Sequence, residues 1–99
     1  MRFRRRYHPV EVRVERQDDR IARVSAAGLV YMYRCGVALE ERLRYHRRAL
    51  GWVAAEEYDL FEGMRLSTRI GTVDGNIRRT ARRNDRMRTE FLRRGLEGV

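Results

Sequence analysis

The side chains best equipped for chemistry in this chain are its arginines. Arg78, Arg79, Arg82, Arg83 and Arg86 flank a helical stripe near the C-terminal end, and Arg2, Arg4, Arg5 and Arg6 stand beside Phe3 and Tyr7. Guanidinium is planar, always charged and able to grip phosphate with two parallel hydrogen bonds. Aromatic rings interleaved with it stack on unpaired bases. These nine arginines are the expected contacts to nucleic acid or another polyanion. All 23 basic side chains counted under Lys+Arg are arginine, which suits phosphate recognition and is equally what a GC-rich coding sequence writes.

Catalysis finds little to work with. His8 and His46 are the only histidines and Cys35 the only cysteine, too few for a metal-ligand cluster at usable spacing. Gly71-Thr72-Val73-Asp74-Gly75 lacks the lysine of a phosphate-binding loop, and Glu56, Glu57 and Glu62 read as a solvated helix face. The expectation is a non-enzyme with no cofactor, no metal and no small-molecule substrate. Cys35, set among apolar residues, is expected to be buried and inert.

Charge points the same way. The net charge of +9 and pI near 11.1 concentrate polyanions around the protein. Residues 76 to 99 carry eight arginines against three acids, whereas residues 51 to 75 carry five acids against two arginines, so basic ends flank an acidic waist. A lone cysteine excludes an intrachain disulfide, and the basic start runs into His8-Pro9-Val10-Glu11 rather than an apolar run, so no secretory signal is visible. The expected setting is intracellular, cytoplasmic or mitochondrial. The arginine-rich, acid-free N-terminus resembles part of a mitochondrial targeting segment without its serines or amphipathic length.

The elements that must position these residues are mainly helical. At 99 residues there is room for one domain with a modest core: a basic arm over 1–9 and a single helical domain over 10–99. Val10, Val12 and Val14 alternate with Glu11, Arg13 and Glu15, the period of a short half-exposed strand. Asp18 and Asp19 are natural caps for a helix from Arg20. Ile21 to Leu39 is apolar on most of its circumference and must be covered by a partner, with Val24, Leu29, Tyr31, Met32 and Leu39 as the protein-docking residues. Gly51 weakens or ends that helix, a further helix covers Trp52 to Glu62, and Gly63 interrupts it. Asp74 caps a last helix from Gly75 to about Arg94, with Ile77, Ala81, Asn84, Met87 and Phe91 in one stripe. A membrane reading of Ile21 to Leu39 meets an uncharged run too short to span and Arg34 in its middle.

Residues 63 to 83 resemble a helix-turn-helix. Leu66 and Ser67 match the apolar and small residues of its first helix, Gly71 its turn and Ile77 the anchor of its second helix, while Thr72 and Thr80 stand where apolar anchors are usual. The resemblance implies two helices joined by a tight turn, with Arg78, Arg79, Arg82 and Arg83 facing a duplex. The basic strand and capped helix at Val10 to Asp19 are similar to the start of a ribbon-helix-helix, without its polar turn and second helix at Gly28 to Tyr31. Tyr31-Met32-Tyr33-Arg34 is similar to the Leu-Tyr-Arg motif of small basic mitochondrial helical proteins, with Met32 in place of leucine.

The expected role is an arginine-rich structural component of a large assembly. Its partners are nucleic acid, RNA in preference, and neighbouring protein subunits, and a ribonucleoprotein particle of the ribosomal kind fits best. A helix-turn-helix DNA regulator is one alternative. A structural or accessory subunit of a membrane complex or virus particle is the other.

Overall fold

The computed structural model describes residues 19–96, and these form a helical hairpin. The basic arm and the expected strand at Val10 to Arg16 lie outside the described residues. Helix α1 spans Ala26–Ala55 and helix α2 spans Leu60–Arg94. At 1.5 Å per residue they are about 45 Å and 52 Å long. The four residues 56–59 join them, a connection short enough to force the helices antiparallel. The pairings across the hairpin confirm the direction: Arg47 meets Asp74, Glu40 meets Asn84, and Tyr33 meets Phe91.

What keeps α2 continuous is one seam. Leu66, Ile70, Val73, Ile77, Thr80, Asn84, Met87 and Phe91 recur at alternating steps of four and three, the repeat that keeps one face of a helix turned toward a partner helix. Leu66, Val73, Ile77, Asn84, Met87 and Phe91 are buried along it. On α1 the matching line is Leu29, Tyr33, Gly36, Glu40, Leu43, Arg47, Leu50 and Ala54. The expected stripe on the last helix is therefore present, and it extends about three further turns toward the N-terminus, from Ile77 to Leu66.

Several boundaries depart from expectation. Helix α2 runs unbroken through Gly63, Gly71 and Gly75. An internal glycine costs a helix about 1 kcal/mol relative to alanine, and seam burial outweighs that here. Asp74 does not cap a helix; its carboxylate accepts from Arg47 Nε at 2.9 Å across the hairpin. Near the start, residues 19–23 are helical but the chain then breaks, and Ser25 begins α1 by accepting from Gly28 N at 3.1 Å. Gly51 lies within α1 and ends nothing.

The ends carry their own signals. Asp59 caps α2, its Oδ1 accepting from Glu62 N at 3.0 Å, and this cap rather than Trp52 marks where the second helix starts. At the far end Gly95 takes φ 70°, and Leu96 N donates to Phe91 O at 3.0 Å. Only glycine adopts that backbone cheaply, so it stops the helix and turns Leu96 back onto the core.

The core divides in two. Ile21, Leu29, Met87 and Phe91 form the cluster at the open end, with Tyr33 set edge-on to Phe91 at 4.9 Å between ring centres. Leu50, Leu66, Val73 and Ile77 form the cluster near the connection. Between them lies a polar layer in which Asn84 Nδ2 donates to Glu40 Oε1 at 3.0 Å.

A carboxylate clamp fastens the N-terminal segment. Glu90 is buried and accepts from Arg93, with Nε at 2.9 Å from Oε1, and from Arg94; Arg94 Nη2 then donates to the carbonyls of Ile21 at 3.0 Å and Ala22 at 3.1 Å. Those carbonyls end a helical segment, where the helix itself leaves acceptors unfilled; Ile21 O also accepts from Val24 N at 3.3 Å. Hydrogen bonds from Arg93 and Arg94 hold the Glu90 carboxyl down at about 2 from the usual 4.5. A carboxyl lowered on folding stabilises fully above its unfolded value and loses that contribution as pH falls through its folded value. The stabilisation is thus complete above about 4.5 and disappears toward 2. Glu90→Gln is expected to lower stability at neutral pH and to flatten the acid limb between those values, read from denaturant midpoints at a series of pH. An unchanged acid limb would remove Glu90 from this role.

Candidate nucleic-acid interface

Because the seam turns one side of α2 inward, the opposite side is fixed outward, and it is there that the arginines collect. Arg78, Arg82 and Arg86 form one row at four-residue spacing, and Arg79 and Arg83 form the row beside it. Arg78, Arg79, Arg82 and Arg83 are exposed and Arg86 is half-buried. Arg79 Nη2 donates to Asn76 Oδ1, which steadies its guanidinium along the helix. From Arg78 to Arg88 six arginines face one acid, Asp85, so this ridge carries 6 − 1 = +5. Like charges one turn apart repel, and such a face reaches its lowest energy with an anion on it.

The hairpin adds arginines that sequence spacing did not assign to the site. Arg44, Arg47 and Arg48 of α1 and Arg78 of α2 line a cleft of about 320 Å³ together with Asp74 and Ile77. Two of these guanidiniums are held from behind. Arg47 is fixed by Asp74, and Arg44 donates through Nε and Nη2 to Glu40 Oε2 at 3.0 and 2.8 Å. Arg44, and after it Asn84, lowers the Glu40 carboxyl below its usual range, so Glu40 stays charged and keeps Arg44 in place. Arg48 lies over the Tyr45 ring at 6.0 Å. Against Asp74 and Glu40 the four arginines leave a balance of 4 − 2 = +2. Only the pairing of the two helices brings Arg78 to the other three, about thirty residues away in sequence, and no local pattern announces that.

The remaining expected sites divide. Arg2, Arg4, Arg5 and Arg6 lie outside the described residues. Of the docking residues, Tyr31 is 70% exposed and Leu39 44% exposed, whereas Leu29 is 0% exposed inside the hairpin and cannot meet another subunit. Val24 and Met32 are half-buried against the same cluster. The reason is that the first half of α1, from Ala26 to Leu39, is apolar on most of its circumference and offers several faces, and α2 takes the one containing Leu29. Cys35 is exposed rather than buried, because it falls on the side of α1 away from α2. Hydrogen bonding to Cys35, one turn along, raises the Tyr31 phenol above its ordinary value.

The two-helix turn implied by residues 63 to 83 is not formed. Gly71 sits in mid-helix, and Arg78, Arg79, Arg82 and Arg83 continue the same rod as Leu66 and Ser67. The chain matches no protein-family model, and neither the curated proteins nor the solved structures compared with it gave a match. Among the described residues no group of three His, Cys, Asp or Glu side chains is placed to hold a metal ion, and no helix is long and apolar enough to cross a membrane.

Proposed function

We propose that the protein is a non-enzymatic, nucleic-acid-binding structural component of a larger assembly, in which the outer face of α2 holds phosphates. The observation that carries this reading is the ridge. Arg78, Arg79, Arg82 and Arg83 stand exposed on one side of a helix whose other side is locked into the hairpin, with Asp85 as the sole acid among them. A rigid helix presents such groups at fixed spacing and loses little further freedom on binding. The arginine cleft at Arg44, Arg47, Arg48 and Arg78 continues the positive surface onto α1. The binding is electrostatic, the preferred ligand is RNA, and a ribonucleoprotein particle is the assembly whose chemistry fits best, since such particles are held together by small basic proteins on phosphate backbones. With no turn between two helices, sequence-specific docking in the helix-turn-helix manner has no structural basis and is not part of the proposal.

The test is a salt series with labelled single-stranded RNA, structured RNA and duplex DNA. Affinity is expected to fall linearly on a double-logarithmic plot, by about 0.7 to 0.9 per phosphate neutralised. Replacing Arg78, Arg79, Arg82 and Arg83 together by glutamine is expected to weaken binding across all sequences and to reduce the slope by roughly three units. Retained affinity with an unchanged slope would show that the ridge does not bind phosphate. No binding at low salt would transfer the arginines to acidic protein or lipid.

A further inference from the structure

The connection end of the hairpin has the opposite chemistry to the ridge. Trp52, Val53, Tyr58, Leu60, Phe61 and Met64 are all more than half exposed there, Trp52 at 69%, Phe61 at 76% and Tyr58 at 98%. A large aromatic side chain carries about 150–250 Å² of surface, so these three rings alone put on the order of 400 Å² into solvent. That equals the largest apolar patch usual on a free-standing protein, and patches of this kind mark interaction sites. Nothing in the hairpin covers them. The α2 seam begins at Leu66, beyond all six, and the nearest core cluster takes Leu50, Leu66, Val73 and Ile77.

Around the rings stand carboxylates. Glu56, Glu57, Asp59 and Glu62 lie between Trp52 and Met64, and the one arginine beside them is Arg65, which pairs with Glu62 at 2.7 Å, so the tip from Trp52 to Arg65 carries 1 − 4 = −3 in a chain of +9. Two tips cannot face each other without opposing a net three negative charges to three. The surface that suits the tip is arginine-rich, because carboxylates accept guanidinium forks and aromatic faces stack on them. Arg48 over Tyr45 shows that stacking within the chain itself. The ridge from Arg78 to Arg88, at +5, is such a surface. A chain cannot use its own: Arg78 and Arg86 are 18 and 26 residues along α2 from Leu60, about 27 and 39 Å from the tip along a rigid rod.

We infer that the acidic aromatic tip of one copy docks on the arginine ridge of a second copy. The contact is heterologous, since different patches meet, so a pair of copies still holds one free tip and one free ridge and the association grows into a ring or a filament. The ridge thereby becomes a shared surface for which nucleic acid and the next copy compete. This inference rests on the charge and apolar surface of the tip and stands whether or not the ridge also binds nucleic acid.

Two variants test it, each removing one half of the contact. The tip variant carries Trp52→Ser and Phe61→Ser; the ridge variant carries Arg78→Glu, Arg82→Glu and Arg83→Glu. All five positions are exposed, and helix content by circular dichroism checks that both variants fold. Protein freed of nucleic acid is followed by sedimentation equilibrium at low salt. The wild type is expected to gain mass with concentration beyond a dimer, and each variant alone to remain a monomer. An equimolar mixture of the two is expected to double in mass and stop, because only one intact tip and one intact ridge remain. A wild type that stays monomeric, a wild type that stops at a dimer, or a mixture that does not associate would each overturn the inference. Nucleic-acid binding by the tip variant separates this outcome from the proposed function: undiminished binding supports the ridge as a phosphate site irrespective of self-association.

Discussion

Met87→Ala is expected to be the most damaging single truncation in the hairpin, lowering stability by about 2–5 kcal/mol, the range for emptying a fully buried methionine site. Met87 is 0% exposed and joins Ile21, Leu29 and Phe91 in the cluster at the open end. A chain of 99 residues has a total stability on the order of 5–15 kcal/mol, and this one divides its buried apolar residues between two small clusters, so the loss is a large fraction of the whole. In a domain of this size each kcal/mol moves the melting temperature by about 4–8 °C, which puts the expected fall at roughly 8–40 °C. The reference is Leu92→Ala. Leu92 follows Phe91 in the same helix but is 75% exposed, and its truncation is expected to change stability by less than about 0.5 kcal/mol. Thermal melts followed by circular dichroism compare the two. Equal effects would mean that the seam does not run where Met87 and Phe91 place it.

That seam also explains how much of the fold the residues disclosed. The helical class follows from the three- and four-residue spacing, and Ile77, Asn84, Met87 and Phe91 are on one stripe by sequence and in the interior by structure. Glycine misled. Read locally, Gly63 and Gly71 divide the chain and make residues 63 to 83 look like two helices around a turn, but the heptad line from Leu66 to Phe91 passes across Gly71 and Gly75 without losing register. A long apolar line is stronger evidence of continuity than a glycine is of a break, because the break is worth about 1 kcal/mol and each buried seam residue about 1.5–3 kcal/mol. The facing of α1 was hidden for another reason. Apolar residues surround its first half, from Ala26 to Leu39, so nothing in that sequence shows that Leu29 turns toward α2 while Tyr31 turns away. The arginine ridge was legible as a run of charge, whereas the cleft with Arg44, Arg47 and Arg48 exists only once the helices pair.

The register of that pairing depends on a glycine in the polar layer, and Gly36→Ala tests it. A Cβ at Gly36 would lie 2.1 Å from Asn84 Oδ1 and 3.3 Å from Met87 Cε. Asn84 is 5% exposed and its amide is committed to Glu40, so it has nowhere to retreat without breaking that bond. Alanine favours the helix by about 1 kcal/mol, but overpacking costs roughly 1–3 kcal/mol and the lost hydrogen bond about 1 kcal/mol more. The net expectation is a destabilisation of about 1–3 kcal/mol. Combined with Asn84→Ala, the same substitution should become stabilising by up to about 1 kcal/mol, because the obstruction is gone and the helix preference remains. Urea midpoints of the four proteins give the coupling, and a Gly36→Ala that is neutral in the presence of Asn84 would show that the close approach does not constrain the hairpin. Asn84 Oδ1 makes no hydrogen bond among the described residues, a cost that an apolar side chain in the seam would avoid. A polar residue in a heptad seam sacrifices stability for register. Here a slip of one heptad would carry α2 about 10 Å along α1, separating Arg78 from Arg44, Arg47 and Arg48 and Asp74 from Arg47. The Gly36–Asn84–Glu40 layer therefore sits in the interior but sets the geometry of the charged surface.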